Sequence, residues 1–275
     1  MADSVDILMV VHDRVDYLSR TLPNVVGFVR DGARLWVWRN GEDSEVGNMI
    51  DRYRREGGIY RYCHSPSNVG LREPLNWLIG NSDAALIGKI DDDLIVPGYW
   101  LKAMREIHRA ASGLAVVGGW SLPTSDLSVS ATKRVRVIDG KRILLHSWIA
   151  GGNFVAKAAR LRRVGTLRPD ETFPDYCLRV AWDGGKNAWW FPDDEIVHLD
   201  DPRFADSGIK SEEDFWVRRP LTAIRAGARS MSEWIDVLKR AASAAQNGSW
   251  RPGKCFYLRM VARRMLKAVR VLAGR

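Results

Sequence analysis

Short apolar runs alternate along the chain with stretches in which apolar residues recur every three or four positions. Val5-Asp6-Ile7-Leu8-Met9-Val10-Val11 predicts a buried strand. Leu18, Leu22, Val25 and Val29 follow at helical spacing, with Pro23 expected to kink or restart that helix. Leu35-Trp36-Val37-Trp38 predicts a second strand, closed by the Asn40-Gly41 turn pair. Ser44 then reads as the N-cap of a helix whose inner face carries Val46, Met49, Ile50 and Tyr53. A weak strand at Ile59 to Cys63, a loop through Ser65 to Gly70 and a helix over Glu73 to Ile79 come next. Ala84-Ala85-Leu86-Ile87-Gly88 leads as a strand into Asp91-Asp92-Asp93, and Pro97-Gly98 opens a helix to about Ala111, before a strand at Leu114 to Val117. Such alternation predicts an α/β domain with a mainly parallel sheet flanked by helices.

The pattern then loosens. Residues 121–146 predict two strands around the hairpin signal Asp139-Gly140. Gly151-Gly152 marks backbone that must approach something closely. Helices are expected over Ala156 to Val164 and Phe173 to Trp182, with a short strand at Trp189-Trp190-Phe191-Pro192-Asp193. From Ser211 the periodicity is helical, with segments to about Arg225, from Ser232 to Ala245, and from Cys255 to Leu272. The expected division is a main domain over 1–205, in two halves that meet near residue 120, and a basic helical extension over 206–275.

Charge sharpens that division. The net charge is +9, yet residues 251–275 hold eight Lys or Arg and no acid, so the other 34 basic and 33 acidic residues nearly cancel. The amphipathic basic tail suits an anionic membrane surface, nucleic-acid phosphates as the less favoured partner, or simple packing on the domain. Three scattered cysteines, Cys63, Cys177 and Cys255, give neither a disulfide framework nor a zinc site, which fits a reducing interior. With no signal-peptide pattern and no long uncharged apolar run, the expected location is cytoplasmic, peripheral at the inner face of the membrane at most.

The chemistry gathers at Asp91-Asp92-Asp93. Three carboxylates at the end of a buried strand repel one another unless a cation intervenes, and hard ions such as Mn2+ or Mg2+ bind carboxylates together with substrate phosphates. A solvated acidic turn is the competing reading. His12 and Asn40 also fall at predicted strand ends, where ligands bind in parallel sheets.

The order of these features resembles the GT-A glycosyltransferases, in particular the family 2-like group, over about Val5 to His198. The carriers are His12-Asp13-Arg14 after the first strand, Asn68-Val69-Gly70 followed by Asn76, Ile90-Asp91-Asp92-Asp93 with Pro97, Gly151-Gly152-Asn153-Phe154, Asp175 with Arg179 and Gly184-Gly185, and Pro192 to His198. Arg39 stands where that group often carries a nucleobase-contacting Asp. The resemblance implies a metal-dependent, inverting transfer of a sugar from a nucleoside diphosphate sugar, a UDP-sugar being favoured, to a hydroxyl of an acceptor glycan or lipid-linked sugar.

In that reading Asp91, Asp93 and His198 hold the ion, Asp93 first among them, and Asp175 is the general base, although Asp also commonly caps helix starts. His12, Arg14, Asn40, Asn68, Gly70, Arg72, Asp91, Asp92, Trp148, Gly151, Gly152 and Asn153 are the substrate-binding candidates. Arg72 serves phosphate or is a solvated helix-start residue, and Trp148 stacks on a sugar or fills the core. Two competing functions are a non-catalytic glycan-binding or scaffold protein of the same fold and a glycosyltransferase that decorates nucleic acid. A sugar-phosphate nucleotidyltransferase is disfavoured, because no glycine follows the first strand at His12-Asp13-Arg14-Val15.

Overall fold

The computed structural model describes residues 4–249 and 251. The first half is built as β1 (Val5–Val11), α1 (Val15–Arg30), β2 (Ala33–Asn40), α2 (Ser44–Arg55), β3 (Arg61–Ser65), α3 (Arg72–Asn81), β4 (Leu86–Asp91), β5 (Leu94–Ile95), α4 (Trp100–Ala110) and β6 (Leu114–Gly119). The second half follows as α5 (Val129–Thr132), β7 (Arg136–Ile138), β8 (Lys141–His146), β9 (Asn153–Lys157), α6 (Ala158–Val164), α7 (Phe173–Trp182), β10 (Lys186–Phe191), β11 (Val197–His198), α8 (Glu212–Arg218), α9 (Leu221–Ala226) and α10 (Met231–Gln246).

Nine strands form one sheet in the order β3-β2-β1-β4-β9-β6-β10-β8-β7, with β8 and β9 running against the others. The sheet is covered on both faces, and β1 shows how its sequence requires this. Val5, Ile7, Met9 and Val11 point into a core shared with α1, α2 and α4, while Leu8 points into the core under α3, α6 and α7. Parallel pairing of β1 with β2 and β4 brings Val10 level with Asp91 and Val11 level with Arg39. The segments after β1, β2 and β4 therefore emerge side by side, which is what collects His12, Asn40 and the aspartates.

Several expectations are corrected. Pro23 does not interrupt α1. Asp43, not Ser44, caps α2, its carboxylate accepting from the N–H groups of Glu45 and Val46. Residues 121–135 hold no strand: Pro123 precedes a 3-10 turn and Ser128 caps the short α5, leaving only the β7–β8 hairpin, which turns through Asp139 and Gly140 at positive φ as the Asp-Gly pair demands. The segment read as the start of a helix at Ala156 is the end of β9, a central strand buried against β4 and β6. The helix expected from Ser211 to Arg225 breaks into α8 and α9 at Arg219-Pro220, where proline disfavours helical backbone before it and Arg219 turns left-handed. The helix expected over Cys255 to Leu272 lies outside the described residues. Among the described residues no helix is long and apolar enough to cross a membrane.

Candidate active site

A cavity of about 690 Å³ opens over the ends of β1, β2 and β4. Twelve of the fifteen residues singled out from the sequence line it, so the exceptions, Arg72, Asn153 and Asp175, need separate accounts.

The Asp run is divided among three environments. Asp91 ends β4, and its carboxylate is held by the ammonium of Lys89, a lysine buried within the strand that also donates to the carbonyl of Gly151 at 2.7 Å. Burial, opposed by Lys89 and reinforced by the charge of Asp93, raises Asp91 above the ordinary carboxylate range. Asp92 turns to the loop after β1, accepting from the His12 N–H at 2.9 Å and from the Arg14 guanidinium. Asp93 faces the short ribbon of β5 and β11, in which His198 pairs with Leu94. That ribbon explains how a residue a hundred positions away comes to Asp93: the Leu199 N–H donates to the Asp93 carbonyl at 2.8 Å, and His198 Nε2 lies 3.8 Å from Asp93 Oδ2. Burial alone would raise the Asp93 carboxyl, but the nearby imidazole of His198, with Arg14, holds it well below its usual value. Burial alone would lower His198, and Asp93, Asp200 and Asp201 instead push it up to about 9.

Asp200 completes the group, and the sequence reading missed it. Its carboxylate, with those of Asp93 and the imidazole of His198, places one ligand atom from each residue within 4.8 Å of the others. Tyr17 Oη donates to Asp200 at 2.8 Å, Trp234 Nε1 to its carbonyl at 2.7 Å, and Arg14 Nη1 to its carboxylate at 2.9 Å. Arg14 thus spans Asp92, Asp93 and Asp200, with 3.2 Å to Asp93. Asp91, expected as a second ligand, stands apart from this trio on Lys89. A signal for both omissions was present: a lysine inside an apolar strand, and an acidic pair, Asp200-Asp201, directly after His198-Leu199.

The remaining wall follows from backbone proximity. Asn40 Oδ1 accepts from Trp38 Nε1 at 3.1 Å and from the Val69 N–H at 3.3 Å, tying β2 to the loop that Asn68 and Gly70 close. Arg39 turns away from the cavity to donate to the Asp43 carbonyl at 2.6 Å. Antiparallel pairing of Ile90 with Asn153 brings the glycine loop to the aspartates, where the Asp91 N–H donates to the Gly152 carbonyl at 2.8 Å. A β-carbon on Gly151 would sit 3.1 Å from Phe173, and one on Gly152 equally close to Leu94. Trp148 lines the cavity between His146 and Trp189.

Of the exceptions, Arg72 pairs with its neighbour Glu73 at 3.3 Å. Asn153 is buried and spends its amide on Trp100 Nε1 and on both backbone groups of Gly119. Asp175 lies in the first turn of α7, where its carboxylate accepts from the N–H and hydroxyl of the capping Thr172, while its neighbours Phe173 and Pro174 line the cavity. The extension supplies one side of the cavity through Leu221, Thr222 and Arg225 of α9 and Trp234 and Leu238 of α10.

Residues 6–179 match the family model described as Glycosyl transferase family 2. Among solved structures, the mannosyltransferase PcManGT from Pyrobaculum calidifontis, in complex with GDP-Man and Mn2+, superposes with a TM-score of 0.57 at 16% identity, covering 98% of this chain and 80% of that one. TarS residues 1–349 from S. aureus gives 0.51 at 12% identity over 80% of this chain, and GalNAc-T7 with UDP, GalNAc and Mn2+ gives 0.55 at 11% over 71%. The chain spans 64% of that TarS structure and 43% of GalNAc-T7. A search of curated protein sequences finds no match. With the family model covering more than half of its length, the chain belongs to glycosyl transferase family 2.

Proposed function

We propose that the chain transfers a sugar from a nucleoside diphosphate sugar to an acceptor hydroxyl, with a divalent ion held by Asp93, His198 and Asp200, and with inversion at the anomeric carbon. The observation that carries this reading is the donor trio at the end of β4, sharing one cavity with Asp91, Asn40 and the glycine loop. Two carboxylates and an imidazole suit Mn2+, and Mg2+ with more retained water. Bound there, the ion would neutralise the leaving diphosphate as a Lewis acid.

The chain's own residues do the rest. Lys89 fixes Asp91 beside the Gly151 carbonyl, so the carboxylate that meets the donor and the loop that meets the acceptor keep one spacing. Arg14 holds Asp92, Asp93 and Asp200 in register, which keeps their positions preset before a substrate arrives. Asp175 is the base. To take the acceptor proton its carboxylate leaves the Thr172 cap, at a cost of about 1 kcal/mol, small beside the barrier that proton removal lowers. A single base brought opposite the leaving group would give direct displacement and inversion.

The test is a panel of nucleotide sugars with Mn2+, scored by nucleoside diphosphate release. The native chain should release diphosphate from one donor class, Asp93→Ala should lose release together with Mn2+-dependent nucleotide binding, and Asp175→Ala should lose release while still binding nucleotide. Equal release by both variants and the native chain would overturn the assignment.

A further inference from the structure

We infer that the chain carries a second anion site, apart from the cavity over the aspartates, where Arg54, Arg55 and Arg61 take a diphosphate group. This goes beyond the glycosyl-transfer reading and does not depend on it. The site is a cavity of about 820 Å³ between the last turns of α2 and the start of β3, the edge strand of the sheet. It shares no lining residue with the cavity over the aspartates. Arg61 pairs with Trp36, four residues or about 13 Å before Asn40 along β2, so the site lies toward the opposite end of the strands.

The first observation is charge. Three guanidinium groups line this cavity against one carboxylate, that of Asp51, and Arg54 takes it at 2.8 Å. Arg55 donates its Nε to the Asp51 carbonyl at 3.3 Å, and neither Arg55 nor Arg61 has a carboxylate partner among the described residues. Basic residues in the last turn of a helix complement its dipole, which accounts for Arg54 and Arg55. It does not account for Arg61, which arrives from a strand and adds its charge to the same wall.

The second observation is how two of these groups are held. The Arg54 guanidinium lies 4.6 Å over the Tyr62 ring, and that of Arg61 lies 5.1 Å over Trp36 and 5.7 Å from Tyr60. Stacking uses the flat face of a guanidinium and leaves its N–H edge for an oxyanion. Forks held in this way are ordered before a ligand arrives, which reduces the entropy lost on binding. One fork matches two oxygens of one phosphate, so several forks on one wall suit more than one phosphate group.

The third observation decides between a compact anion and an anionic chain. Asp43 caps α2 and Glu45 stands in its first turn, whereas Arg52, Arg54 and Arg55 crowd its last turn. β3 carries its one arginine at its first position. A nucleic acid or an acidic peptide laid along α2 and β3 would run from the guanidinium groups onto the carboxylates, and like charges brought together oppose binding. A diphosphate stays at the basic end.

The test uses the full chain at low ionic strength, with a chelator to remove divalent ions, and calorimetric titration of pyrophosphate, phosphate, UDP and hexaglutamate. Pyrophosphate should bind at least about tenfold more tightly than phosphate. The double variant Arg55→Gln, Arg61→Gln should weaken pyrophosphate by at least about tenfold while circular dichroism shows the fold retained. The double variant Lys239→Gln, Arg240→Gln removes the same charge from exposed positions of α10 and should keep the native affinity. UDP weakened in step with pyrophosphate assigns the site to diphosphates at large, and UDP left unchanged assigns it to the free anion; both support the inference. Pyrophosphate binding that Arg55→Gln, Arg61→Gln leaves intact would overturn it. Equal weakening in the two double variants would do the same, since net charge alone would then be at work. So would hexaglutamate that binds as tightly as pyrophosphate and is weakened by the same variant, because the partner would then be an acidic peptide.

Discussion

Replacing Arg14 with Met would leave Asp92, Asp93 and Asp200 facing one another, with His198 as the remaining positive partner of Asp93. Removing one partner of a buried ion pair costs about 3–5 kcal/mol, because the stranded charge keeps its desolvation penalty. The Arg14 side chain is 28% exposed, so water relieves part of that penalty and the low end, about 3 kcal/mol, applies. In a chain of this size each kcal/mol moves the melting temperature by roughly 2–4 °C, so Arg14→Met should melt about 6–12 °C below the native chain. Arg14→Lys keeps the charge without the fork and should fall between the two. The assay is thermal unfolding by circular dichroism in the presence of a chelator, repeated with Mn2+. The ion should raise the melting temperature of Arg14→Met more than that of the native chain, because it supplies the missing charge and binds only the folded state. A fall of less than about 2 °C without metal would refute the reasoning, since the carboxylates would then not depend on Arg14 for their counter-charge.

Asp93→Asn, His198→Gln and Asp200→Asn should each weaken Mn2+ binding by at least about tenfold, followed by the free-ion signal in electron paramagnetic resonance, whereas Asp206→Asn, an exposed control, should not. Asn153→Ala should cost about 3 kcal/mol in denaturant unfolding, because it strands Trp100 Nε1 and two Gly119 backbone groups, and the surviving folded protein should bind nucleotide with native affinity. His108, whose Nε2 meets the Val155 carbonyl at 2.9 Å, is held down to about 4 by burial. The unfolded chain takes up a proton near pH 6.5 that the native state refuses, so stability is full above that pH and falls as pH drops toward 4, by about 2 kcal/mol between pH 7 and 5. His108→Leu should show a correspondingly flatter pH dependence in chemical unfolding.

What the sequence revealed follows from how local each signal is. Val5 to Val11 and the run into Asp91 are readable because a strand buried on both faces must be almost wholly apolar, and their parallel pairing then places His12, Asn40 and the aspartates at one edge without further information. Asn153 falls outside the cavity lining because the Gly151-Gly152 signal is about backbone approach, and the residue after it points the other way, into the space between Trp100 and Gly119. The strand β9 was hidden because Ala156-Lys157-Ala158 is as compatible with a helix as with a strand, and only pairing with β4 and β6 decides.

The harder part was the ligand set, and the reason is topological. The family match ends at residue 179, while His198 and Asp200 lie beyond it. They reach Asp93 only through the two-residue pairing of β5 with β11, too short to leave a periodic trace in sequence. Asp200 is then fixed from three directions, by Arg14 and Tyr17 from α1 and by Trp234 from α10. The helical extension therefore does not merely follow the sheet. Its small core of Phe215, Ala223, Trp234 and Leu238 sets the position of the carbonyl and carboxylate of a candidate ligand, and the same helices close one side of the cavity. Loosening that core, as in Trp234→Ala, should thus weaken Mn2+ binding without touching any ligand atom, a coupling that a site confined to the matched core would not show.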